Sequence, residues 1–228
     1  MLVVMIVFGI TQVFAATHIH DILRYQLPEY DLVVMKHEVP QSLFFDISLF
    51  NPSSQQDNSQ QDNSQYVDQV SFLEAVQFAN QLSQHEGLEP CYQIDRQDIF
   101  WMKGYHCTGW RLATHSEWAI MTHSPLPQPE EVDRVLWYIN PNSTHIKTSD
   151  LSCEKEFQLC GIQGGAWEWL WDEIRVSNDV KGDFLHVRTA VGGDFHLKGD
   201  PAVVYRFQLK ENFSSPYLTF RLVRSEFH

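Results

Sequence analysis

Basic side chains are scarce: 16 Lys and Arg stand against 29 Asp and Glu in 228 residues, a formal net charge of −13. They are scattered singly, so the sequence offers no patch to hold a phosphate backbone or an anionic lipid surface, and neither nucleic acid nor a membrane surface is an expected partner. The four cysteines show no C-x-x-C spacing, which excludes a zinc knuckle and a dithiol redox pair. Nucleophile elbow, P-loop and dinucleotide-binding glycine fingerprint are all missing. Aromatics are plentiful. With 15 Phe, 8 Tyr, 7 Trp and 43% apolar residues, the chain can fill the core of one large domain or two small ones and is not intrinsically disordered.

Residues 1–17 carry no charged side chain, and Val13-Phe14-Ala15 places small residues at the −3 and −1 positions of a cleavage site. The segment reads as a secretory signal, although no Lys or Arg precedes the apolar run; an uncleaved anchor or a buried strand is the other reading, the run being slightly short to span a bilayer. The even cysteine count fits an exported, oxidised protein, periplasmic or secreted. Cys91, Cys107, Cys153 and Cys160 allow three disulfide connectivities, of which the two sequence-local pairs would close short loops.

Periodicity organises the rest. A β-branched run follows Tyr30, and Leu43, Phe44, Ile47 and Phe50 suit a short helix after Pro40. Residues 54–65 contain a five-residue unit repeated twice with no apolar side chain, and a disordered surface loop is expected there. Ser71 to Glu74 forms a capping box opening a helix to about Glu86, whose stripe is Ala75, Val76, Phe78, Ala79 and Leu82 and whose end is marked by Gly87. Thr114 to Glu117 repeats the device, and Pro125 stops the second helix. Strand-like runs lie at Phe184–Val191, Ala202–Leu209 and Tyr217–Val223. Trp118, Trp167 and Trp169 are expected in the core.

Several segments occur in the order used by one family. His37-Glu38-Val39-Pro40-Gln41, Asn51-Pro52-Ser53, Val70 to Ala75, Gly87-Leu88-Glu89-Pro90-Cys91-Tyr92, Gly109 to Ala119, Leu136-Trp137-Tyr138 with Asn142-Ser143, Phe157 to Trp169, Ala190 to Phe195 and Thr219 to Arg224 resemble the formylglycine-generating enzyme, or sulfatase-modifying factor, family. The resemblance covers residues 30–225 as one domain. It implies an α+β, C-type-lectin-like fold with long ordered loops and few regular elements.

In active members of that family two cysteine thiolates after the R-G-G-S-W segment bind Cu(I) and convert a sulfatase cysteine to formylglycine, soft thiolates being the ligands that suit Cu(I). Here no cysteine lies between Gly192 and Arg224, and Leu197 and Ala202 stand about where the pair is expected. Copper is therefore not expected, and catalytic residues are not identified. The family's calcium site is matched by Gly164, Ala166 and Glu168, while Gly161 and Gly165 replace side chains found in relatives. Calcium wants six to eight oxygens, so the alternative for Glu168 is a buried carboxylate accepting backbone N–H bonds. The HxxxHxE iron motif of a second branch is missing; His18 with His20, and His115 with His123, have no carboxylate in register. The expected function is thus an exported, non-catalytic relative binding a protein or peptide partner. The alternatives are an active formylglycine-generating or other periplasmic modifying enzyme, using residues the sequence does not identify, and a lectin-fold ligand-binding display protein; Cys153 and Cys160 are the cysteines that could replace the missing copper pair.

Overall fold

The computed structural model describes residues 21–53, 65–96, 98–122, 159–162, 166–178, 183–192 and 205–228. The expected signal, most of the polar repeat, Pro125, Gly164 and Cys153 lie outside the described residues. Among those described, strand dominates. β1 (Ile22–Gln26), β2 (Asp31–Met35), α1 (Gln41–Ser48), α2 (Phe72–His85), β3 (Gln93–Asp95) and β4 (Asp98–Phe100) are followed by a 3-10 turn at Gly104–His106. Then come β5 (Arg111–Leu112), α3 (His115–Thr122), β6 (Trp167–Asn178), β7 (Asp183–Gly192), β8 (Tyr205–Lys210), β9 (Leu218–Thr219) and β10 (Leu222–Glu226). β1 carries the fold upstream of the residue-30 boundary by pairing with β2. The architecture is mixed α and β, with few helices set against two larger sheets and a hairpin.

The first sheet runs β1-β2-β10-β5. Its central strand β2 is buried on both faces: Val33 and Met35 join the cluster that contains Phe44, Phe78 and Phe220, while Leu32 and Val34 pack with Trp118, Met121 and Leu170. The two-residue period of a strand splits one sequence run between two cores. α2 closes the first of these as expected, with the Ser71 hydroxyl accepting from the Glu74 N–H and the Glu74 carboxylate accepting from the Ser71 N–H. Its five stripe residues are all fully buried. Gly87 has φ of 72°, the left-handed turn expected where α2 ends.

The second sheet runs β8-β7-β6-β9, with β9 parallel to β6. The run Tyr217–Val223 is not one strand: Leu218–Thr219 pairs with β6, Leu222–Glu226 pairs with β2 and β5, and Phe220-Arg221 crosses between the sheets. β6 and β7 step out of register: Trp169 faces Ala190 but Glu173 faces Arg188, so β6 uses four residues where β7 uses two. A bulge of this kind re-aims side chains. Leu170 packs in the second core, and Trp171, partly buried, packs beside Trp169's cluster against Phe72 and Tyr92.

Candidate binding site: a disulfide-closed aromatic loop

Glu168, the residue singled out for calcium, is buried on β6, and its carboxylate is taken by Arg221. Nε lies 3.2 and 3.1 Å from its two oxygens and Nη2 donates at 2.8 Å. The remaining guanidinium N–H groups donate to the carbonyls of Met35 at 3.2 Å, Lys36, and Cys160 at 2.7 Å. Among the described residues its partner is a guanidinium, whose five donors match a carboxylate and three carbonyls. Ala166 is buried beside it. The Glu168 carboxylate is thus already paired with a cation belonging to the chain, while Gly164 lies outside the described residues. No group of three or more His, Cys, Asp or Glu that could hold a metal occurs among the described residues.

Glu38 completes this cluster. It is fully buried and 3.7 Å from Arg221 Nη2. Burial, reinforced by the charge of Glu168 and opposed by Arg221, raises its carboxyl from 4.5 to about 7. The folded state therefore holds this proton more tightly than the unfolded chain. Its contribution to stability is fully present below pH 4.5 and is lost as pH rises through about 7. Glu38→Gln is expected to flatten that dependence and to gain about 1–3 kcal/mol over the parent above the window, as read by urea unfolding on both sides of it.

The cysteines give the clearer site. Cys91 is bonded to Cys107, one of the two sequence-local pairings, at a sequence separation of 16. Cys160 is also disulfide-bonded, and no described cysteine is free. The Cys91–Cys107 loop carries the β3–β4 hairpin, Trp101, Met102 and the 3-10 turn. Its base is fixed on three sides. Asn80 of α2 donates to the Tyr92 carbonyl at 2.7 Å and accepts from the Tyr92 N–H at 3.0 Å. The Tyr92 hydroxyl accepts from the Leu112 N–H at 2.9 Å. Gly109 lies so close to α2's exit that a Cβ there would sit 2.0 Å from the Glu89 carbonyl oxygen, which only glycine permits.

Above that base the loop displays large apolar side chains: Phe100 is 45% exposed, Met102 72% and Tyr105 40%, with Phe227 from the C-terminus adding 41%. Trp101 lies half-buried behind them, 5.3 Å from Tyr105 and 5.6 Å from Trp171 of the bulge. Trp171 in turn stacks on Tyr92 at 4.9 Å. Two buried guanidiniums bracket these rings, Arg111 5.0 Å from Trp101 and Arg188 4.7 Å from Trp171. Arg111 is neutralised by Glu117 at 2.8 and 2.6 Å, and Glu117 also accepts from the Tyr30 hydroxyl at 3.0 Å and the Thr114 N–H at 2.9 Å. The second capping box thus doubles as the support of the aromatic ridge. An exposed apolar surface on a covalently closed, hydrogen-bonded loop is preorganised to bind. The sequence reading passed over the hairpin, while Cys91 and Cys107 flanking a Phe-Trp-Met run were the signal available to it.

No family model matches the chain. The chaperone protein LppX of Paenibacillus barcinonensis is 24% identical over a 182-residue alignment covering 62% of this chain and 62% of that protein. The match therefore spans less than two thirds of the relative's length. Treponema denticola variable protein 1 superposes with a TM-score of 0.61 at 20% identity, covering 85% of this chain and 84% of that one. The crystal structure of CarF superposes with a TM-score of 0.62 at 17% identity, covering 90% of this chain and 96% of that one. At these identities the two structures establish a shared mixed α/β fold.

Proposed function

We propose that the chain is an exported binding protein that engages a protein or peptide partner through the Cys91–Cys107 loop and does not oxidise cysteine. On this reading its architecture is the formylglycine-generating-enzyme-like, C-type-lectin-like fold that the order of its motifs implies. The observation that carries the proposal is the exposure of Phe100, Met102 and Tyr105 on a loop tied down at both ends. Aromatic residues and Met are enriched in the buried centres of interfaces, where charged residues are depleted. Further support comes from the described cysteines, whose sulfurs are in disulfides and so are not thiolate ligands for Cu(I). The likeness to a protein named as a chaperone points the same way.

The test is binding to an unfolded, reduced and alkylated model protein, followed by light scattering and fluorescence anisotropy. Met102→Asp is expected to weaken binding about tenfold, the loss of roughly 1.4 kcal/mol at a central apolar contact. Its melting temperature should match the parent's, since the side chain is exposed. Unchanged binding in that variant overturns the proposal, as does formylglycine detected by mass spectrometry on a sulfatase-type peptide incubated with the protein.

A further inference from the structure

The hairpin beside this ridge has a charge arrangement that its own fold does not require. Asp95 and Asp98 are directly opposed in the β3–β4 ladder and both are exposed. Opposed like charges weaken a cross-strand pair, and neither carboxylate has an ion-pair partner among the described residues. Of the neighbouring cations, Lys103 is held by Glu89 at 2.6 Å, and Arg96 occupies the turn with φ of 56°. Phe100 follows Asp98 by two residues on the same exposed face, about 7 Å along the strand, and Met102 lies just beyond. The face therefore presents negative charge and apolar surface at the two-residue spacing of an extended chain.

Taking the partner-binding reading above as given, we propose that this face receives an extended polypeptide segment in which a basic residue stands two positions from a large apolar one. The cation lies between Asp95 and Asp98, and the apolar side chain lies on Phe100 and Met102. A partner strand repeats at the same rise per residue, so one such pair fits in register without bending. Met102, flexible and polarizable, adapts to apolar side chains of different shape. The chain's net charge of −13 favours the approach of a basic segment over an acidic one.

The experiment compares fluorescein-labelled synthetic peptides in which Phe alternates with Lys, Glu or Ser across single Ser spacers, by anisotropy with the intact oxidised protein. The Lys peptide is expected to bind roughly fivefold to tenfold tighter than the Ser peptide at low salt, an advantage that high salt removes. In Asp95→Asn/Asp98→Asn the Lys peptide should fall to the level of the Ser peptide, whose own binding stays unchanged. Equal binding of the Glu and Lys peptides, or a Lys advantage that survives the double substitution, overturns this inference and leaves the partner-binding reading intact. Failure of every peptide overturns both, and so does binding confined to an oligosaccharide included as a further ligand.

Discussion

Arg221→Met should unfold the protein at markedly lower urea, with a loss of about 3–5 kcal/mol. The estimate follows from what the guanidinium leaves behind: Glu168 and Glu38, both buried, and the carbonyls of Met35, Lys36 and Cys160, each losing a donor. Breaking a buried pair by removing one partner is far more costly than removing both, because the survivor keeps its charge without water or counter-ion. Domain stabilities are about 5–15 kcal/mol, so the variant should sit near the edge of folding. Arg221→Lys should rescue little, since a point charge with three donors cannot satisfy a carboxylate and three carbonyls at once. Arg221→Met combined with Glu168→Met should recover a large part of the loss. A single variant that unfolds at the parent's midpoint would show that the cluster does not hold the sheets together.

Cys91→Ser/Cys107→Ser should lower stability by roughly 3 kcal/mol, the chain-entropy value for a loop of this length, as measured by unfolding of oxidised parent and variant side by side. Partner binding should fall by more than the Met102→Asp substitution alone produces. The displayed side chains would then have to be ordered at the moment of binding, at about 0.5–1.5 kcal/mol for each one immobilised. A variant that loses stability but binds as tightly as the parent would show that α2 and β5 shape the loop without the disulfide.

The parts of the fold legible in the sequence are those with local signals. The Ser71–Glu74 and Thr114–Glu117 boxes name their own helices, the stripe from Ala75 to Leu82 names its buried face, and the run Phe184–Val191 falls within β7. Trp118, Trp167 and Trp169 are in the core as their chemistry suggests. The β3–β4 hairpin was missed because each strand has three residues and its turn begins at Arg96, not at the Asn-Gly or Asp-Gly pair that ordinarily announces one. The pairing of Glu168 with Arg221 spans 53 residues and has no local trace. Neither has the bulge between Trp169 and Glu173, since it depends on a register shift against β7. The candidate site was thus visible as two cysteines and an aromatic run, but the geometry that makes it a surface came from α2, β5 and β6.

The order β1-β2-β10-β5 has a consequence in time as well as in space. Strand β10, Leu222–Glu226, is inserted between β2 and β5, so the first sheet cannot close until that segment is free to enter it. Up to that moment β2 and β5 each present an unpaired edge. Contacts of such long sequence separation form late and slowly. A chain synthesised vectorially therefore keeps this sheet open until β10 has been made, and a truncation just before Leu222 should leave it open and aggregation-prone.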